Sequence, residues 1–212
     1  MLKIQTVPVG ALRANCYLVS DSETQDAMII DPGAQPDRIL SVLSRHSWKV
    51  KYIINTHGHY DHVGANGPIQ QATQAPIYMH PLDFPVLEIT REWGPVDSPV
   101  PGKELADGQV LAVGAYAFVV IHTPGHSQGG ICLYGNDVVF TGDTLFAGGI
   151  GRYDFPGSSK SAIMDSLKRL LELPDATIVY PGHGPSTTIG TERVANMEME
   201  TMLGERRRPG EK

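Results

Sequence analysis

The tightest constraint on how this chain can fold is the stretch THGHYDHVGAN, residues 56–66, which packs three histidines and an aspartate into six positions. The whole chain has only eight histidines, so a loop that takes three of them calls for partners elsewhere. Four apolar, strand-like runs end in a side chain that can bind a metal. KYIINT runs into His57, FVVIHTPG into His126, VVFTG into Asp143 and TIVYPG into His183. Glycine stands directly before the last three ligands, and its freedom lets a backbone leave a buried strand and turn over the sheet edge. Ligands at the ends of neighbouring strands can then converge on one rigid point.

The candidate set is His57, His59, Asp61, His62, His126, Asp143 and His183. These are imidazoles and carboxylates without a thiolate, a donor chemistry that suits Zn²⁺, Fe²⁺ or Mn²⁺ and not a cysteine-based structural zinc. The set is too large for one tetrahedral ion. It matches two ions sharing a bridging carboxylate, with a position left for water. His46, His80 and His122 read as ordinary surface or strand residues.

Around these exits the chain reads as strands first and a helix after, twice over. Strands are expected at 3–9, 15–20, 26–31 and 51–55, with a helix around Ile39, Leu40, Val42 and Leu43 behind Pro36. A Pro/Gly-rich connection fills 91–108, and Trp93 within it could line a pocket or simply pin the loop down. Strands follow at 110–113, 117–122, 131–134 and 138–141, the last two joined by a tight turn at GND, 135–137. The Ile163, Leu167, Leu170, Leu171 stripe predicts a helix that opens in the serines near 158–161 and stops before Pro174. A strand at 177–180 and a helix from about Thr191 complete an α+β chain, read as one domain over 1–212 with a frayed tail at 206–212.

The net charge of −6 weighs against a surface that grips nucleic acid or an anionic membrane, the RRR at 206–208 being the exception. The N-terminus lacks the apolar stretch of a signal peptide, and no run is long enough to span a bilayer, so a cytoplasmic location is expected. Cys16 and Cys132 then read as reduced, buried thiols with no catalytic part.

With these motifs in view, the sequence resembles the metallo-β-lactamase-fold superfamily. The run H57-G-H59-Y-D61-H62 followed by His126, Asp143 and His183 matches that family's ligand order over nearly the whole chain. The resemblance implies an αββα sandwich, two mixed β-sheets flanked by helices. It also implies that His57, His59 and His126 hold one ion, Asp61, His62 and His183 the other, and that Asp143 bridges them. Within the superfamily, GDTLFAGGIGRYDFPGS (142–158) and YPGHGPSTTIGTER (180–193) look like the short bacterial members of the glyoxalase II-like branch, thioester hydrolases that act on S-lactoylglutathione. Two departures bear on substrate. Against that resemblance, no counterpart of the branch's C-terminal helical domain is expected within residues 1–212, and Asp154 aligns where the branch has a tyrosine near its basic glutathione contact. Arg152 falls at that basic position and could hold a substrate carboxylate or pair with Asp154.

The expected enzyme hydrolyses a small-molecule thioester or ester through a metal-bound hydroxide, with zinc as the expected ion and iron or manganese as alternatives. Asp61 and Asp143 are its expected catalytic carboxylates, and the chain would work as a monomer or homodimer. The segment G149-I-G-R152-Y-D154-F155 also resembles the persulfide dioxygenases, which share the fold and hold one Fe²⁺ by residues corresponding to His57, His126 and Asp143. A non-catalytic metal module fits less well, since a structural site closes around one ion with no ligands to spare.

Overall fold

Alternating side chains build two β-sheets that face each other. The computed structural model describes residues 1–94 and 96–204; the tail expected at 206–212 lies outside them. The first sheet runs in the order β1 (Leu2–Val9), β2 (Ala14–Asp21), β3 (Asp26–Ile30), β4 (Lys49–Ile54), β5 (Ile77–Met79) and β6 (Lys103–Glu104). It is antiparallel from β1 to β3 and parallel from β3 to β6. The second comprises β7 (Val110–Val113), β8 (Tyr116–His122), β9 (Ile131–Gly135) and β10 (Val138–Gly142), then β13 (Ile178–Pro181) and β14 (Thr187–Thr188). Only β10 and β13 pair in parallel there. A short ribbon, β11 (Leu145–Phe146) with β12 (Gly149–Ile150), stands beside it.

Strand β2 is buried along its whole length, as a strand must be when both its faces are covered. Tyr17 and Val19 point inward, joining Met28, Ile54, Phe118, Val120, Leu133 and Phe140 between the sheets. Cys16 and Leu18 point outward, under α1 (Pro36–Leu43) and α3 (Asn66–Thr73), with Ile39 and Ile69 as the main plugs, and α2 (Tyr60–Val63) packs its Val63 with Met79 and Leu87. The short helix α4 (Phe84–Thr90) follows β5. The second sheet is covered by α5 (Lys160–Leu171), α6 (Ile189–Ala195) and α7 (Met197–Leu203), through Ile163, Leu167, Leu170 and Met199.

Local chemistry explains the boundaries. Pro36 opens α1, and the Ser159 hydroxyl caps α5 by accepting from the Ala162 N–H at 3.3 Å. Between β9 and β10, Asn136 and Asp137 both take positive φ, 56° and 61°, the type I′ turn that matches the twist of a hairpin. The C-terminal helix expected from Thr191 is in fact two helices. Asn196 leaves the helical region (φ −80°, ψ 91°), and its side chain accepts from the Met199 N–H at 3.0 Å, so it ends one helix and caps the next. No helix among the described residues is long and apolar enough to cross a membrane.

Cys16 and Cys132 are both free and buried. Burial pushes the Cys16 thiol well above its ordinary value and Cys132 up to about 12, so neither forms the nucleophilic thiolate near neutral pH. Ellman's reagent is therefore expected to find no reactive thiol in the native protein and both thiols after denaturation. A fast-reacting thiol in the folded state would contradict this packing.

Candidate metal centre

The expected ligands meet at one end of the sandwich. His57 and His59 follow β4, His126 follows β8, Asp143 follows β10 and His183 follows β13, while Asp61 and His62 ride on α2. Backbone bonds lock the exits together. Gly182 N–H donates to Gly142 C=O at 2.7 Å, Asn15 N–H to Gly182 C=O at 2.7 Å, and Ile131 N–H to Thr56 C=O at 2.9 Å. Gly142 takes φ +48°, the sharp turn expected of it. Gly182 matters for a different reason, because a Cβ there would collide with Asp143 Oδ1.

Two trios emerge. His57, His59 and His126 are all buried and bring ring nitrogens within 4.8 Å of one another; the half-buried Asp61 and His183 and the buried His62 bring a carboxylate oxygen and two ring nitrogens within the same distance. Asp143 touches both. Its Oδ1 lies 3.4 Å from His62 Nε2, and its Oδ2 lies 3.6 Å from both His126 Nε2 and His183 Nε2. His59 Nδ1 faces His126 Nε2 at 3.0 Å, and His62 Nε2 faces His183 Nε2 at 3.3 Å. Tetrahedral ligands bound at zinc distances stand about 3.3 Å apart, so these spacings are those of a coordination shell.

The outer nitrogens show which atoms remain for a cation. His126 Nδ1 donates to the Arg152 carbonyl at 2.8 Å, His183 Nδ1 to the Leu12 carbonyl at 3.1 Å, and His62 Nδ1 bonds Asp31 Oδ2 at 2.9 Å. Each ring therefore turns a bare Nε2 inward, the arrangement of metal-binding histidines. His57 Nε2 and Asp143 Oδ1 are buried with no hydrogen-bond partner. Orphans of this kind are costly unless a cation satisfies them, and the donor set fits divalent ions.

Electrostatics point the same way. Burial alone would lower His62, but the carboxylates of Asp143, Asp61 and Asp31 outweigh it and raise it to about 10. Burial likewise works to raise Asp61, yet the His62 charge and the His183 hydrogen bond hold it well below the usual carboxylate range. In the other trio, burial pushes His57 down, and burial with the neighbouring His126 takes His59 to about 4. Burial thus favours the neutral, coordinating imidazole at His57 and His59, while carboxylates concentrate negative potential around His62.

A cleft of about 400 Å³ opens over the trios, walled by Trp93 and Phe155 on one side and Leu12, Phe146 and Ile150 on the other. Trp93 does line it, as its place in the 91–108 connection suggested. Arg152 sits at the rim. Its Nε and Nη2 donate to Asp154 at 2.9 and 3.0 Å, and its guanidinium lies 4.2 Å over the Phe155 ring. Both partners are largely exposed, so the pair is weak enough to be exchanged for another carboxylate. Of the neighbouring tyrosines, Tyr60 lines the cleft, Tyr153 is on the surface and Tyr180 packs on Phe140. His122 ends β8 and stacks on His80 at 4.2 Å, apart from both trios.

Sequence reasoning passed over Asp31. It groups with His57 and His62, but its oxygens are already taken by Thr56 N–H (2.7 Å), Thr56 Oγ1 (2.7 Å) and His62. Asp31 therefore orients His62 rather than coordinating. Its signal was present, since DAMIID is another strand run that ends in a carboxylate. Asn15 and Tyr17 were also missed. Their side chains donate to the Pro181 carbonyl at 3.0 and 2.6 Å and pin the turn that carries His183.

Comparison with known proteins follows this geometry. A family model described as the metallo-beta-lactamase superfamily matches residues 9–183. The chain is 35% identical over 206 residues to the hydroxyacylglutathione hydrolase GloC of Haemophilus influenzae, covering 92% of this chain and 97% of that protein. Among solved structures, TTHA1623 in a di-iron-bound form is similar with TM-score 0.83 and 42% identity, covering 91% and 98% of the two chains. ETHE1 from Myxococcus xanthus is similar with TM-score 0.79 and 30% identity, covering 98% and 92%.

Proposed function

For a chain that belongs to the metallo-beta-lactamase superfamily, we propose hydrolysis of a small-molecule thioester or ester, with an S-hydroxyacyl thiol such as S-lactoylglutathione as the model substrate. The observation that carries this reading is Asp143 standing between two complete trios, a layout for two ions rather than one. His57, His59 and His126 would hold the first ion and Asp61, His62 and His183 the second, with the Asp143 carboxylate between the two sets. Zinc is the favoured metal, with iron close behind given the di-iron relative. When bound, the ions supply Lewis acidity and acidify water near neutral pH.

The chain's own residues do the rest. The aromatic and aliphatic walls exclude bulk water from the acyl carbonyl, which strengthens every charge interaction inside. Asp61, which lines the cleft, takes the proton that leaves the attacking water and passes it to the departing sulfur: a C–O bond forms, the C–S bond breaks, and the thiol leaves carrying that proton. Arg152 at the rim trades Asp154 for the substrate's carboxylate, which leaves the acyl end pointing down toward Asp143. The likeness to GloC supports this reading.

A second reading, a persulfide dioxygenase with one iron on His57, His126 and Asp143, is favoured by the likeness to ETHE1. Elemental analysis of protein purified without added metal, paired with two assays, decides between them. About two metal equivalents and thiol release from S-lactoylglutathione support the hydrolase. About one iron with O₂ uptake on a glutathione persulfide, and no thiol release, overturns it.

A further inference from the structure

We propose that Asp83, which lies outside both trios, is the positioning residue for the His57, His59 and His126 set. This rests on the metal-centre reading above. Asp83 closes the single turn Pro81–Asp83 between β5 and α4, and it is fully buried. Its carboxylate serves the two loops that carry those histidines. Oδ2 accepts from the Gly58 N–H at 2.8 Å and the Ser127 hydroxyl at 2.7 Å, and Oδ1 accepts from the Gly129 N–H at 2.5 Å. Gly58 lies between His57 and His59, and Ser127 directly follows His126. One carboxylate from the first sheet therefore clamps the ligand loop of that sheet to the ligand loop of the second.

The approach is built into the glycines. A Cβ at Gly58 would stand 2.8 Å from the Asp83 carbonyl oxygen, and one at Gly129 would stand 2.8 Å from Asp83 Oδ1. Real Cβ atoms do not come that close, so both positions leave room for Asp83. The contrast with Asp31 sharpens the role. Asp31 bonds a ring nitrogen of His62, so it sets the orientation of one ligand in the Asp61, His62, His183 trio. Asp83 bonds no ligand side chain; it sets the spacing between two ligand-bearing backbones. Carboxylates that order ligands from outside a coordination shell are typically worth about 10–100-fold in metal affinity.

The test is a competitive titration of chelator-stripped wild type, Asp83→Asn, Asp83→Ala and Ser127→Ala with Co²⁺, and then Zn²⁺, against a chromophoric chelator. Melting of each metal-free protein is recorded in parallel. Wild type is expected to show two classes of site. Both Asp83 variants should lose about 10–100-fold in one class while the other stays at wild-type affinity, and Ser127→Ala should show a smaller loss in that same class. The Co²⁺ spectrum of the weakened class should carry the signature of histidine ligation without Asp61. Equal loss in both classes, or loss that merely tracks lower melting of the metal-free protein, would mark Asp83 as structural and overturn the proposal. Wild-type affinity in both classes overturns it too. If wild type shows only one class, or none, the two-ion reading fails and takes this inference with it. Should Asp83→Ala not fold, the near-isosteric Asp83→Asn and the Ser127→Ala variant carry the test alone.

Discussion

Asp143→Ala is expected to fold, to bind less metal than wild type, and to hydrolyse a model thioester roughly a thousandfold more slowly or worse. The fold should survive because Asp143 Oδ1 has no hydrogen-bond partner in the protein and the side chain is not a core element. The loss falls instead on what only this carboxylate does. Among the described residues it alone has oxygens facing His62, His126 and His183 together, at 3.4 to 3.6 Å. Without it, two cations would face one another with less negative charge between them, and several kcal/mol of transition-state stabilisation would go with the displaced ion. Circular dichroism, metal content and steady-state rates test this together. Unchanged kcat with full metal occupancy would sink the bridging assignment.

The largest expected effect on stability comes from Phe140→Ala. Phe140 is fully buried on β10 between the sheets, with ring centroids 5.1 Å from Tyr17, 6.2 Å from Phe118 and 5.3 Å from Tyr180. Removing a ring from such a site costs about 3–5 kcal/mol through lost burial and the cavity left behind. At roughly 2–4 °C per kcal/mol for a chain of this size, the melting temperature should fall by about 6–20 °C. Chemical denaturation checks the free energy directly. A loss below about 1 kcal/mol would mean that the cleft between the sheets can collapse around the missing ring. Tyr17 ties this cluster to the Pro181 carbonyl, so metal affinity at His183 should weaken along with stability.

Much of this molecule was legible before any coordinates. Runs such as VVFTG and TIVYPG alternate or stay apolar over strand lengths, and both are strands that stop at the expected ligand. The ligands stood out because histidine is scarce and because His57, His126, Asp143 and His183 each follow a strand run. Asp31 obeyed the same pattern and was passed over, its role being visible only once its oxygens were seen to reach Thr56 and His62. Residues 60–90 were harder, since α2 and α4 are only four and seven residues long, and α3, as long as α1, buries only Asn66 and Ile69 and so shows no apolar stripe. Asp83 carried almost no signal. Two of its three donors are backbone N–H groups, which every residue but proline has, so nothing in the letters marks them. The split at Asn196 was hidden likewise, because asparagine inside an apolar pattern reads the same whether it faces solvent or caps a helix.

The carbonyls of Leu12 and Arg152 orient His183 and His126, while the side chains of the same two residues form the wall and rim of the cleft. A carbonyl survives any substitution of its own residue. Mutation can therefore redraw the substrate-facing surface at these two positions while the hydrogen bonds that aim the histidines stay in place. Selectivity and reactivity are thus inherited through separate atoms of one residue, which makes the scaffold open to new substrates without relearning its chemistry.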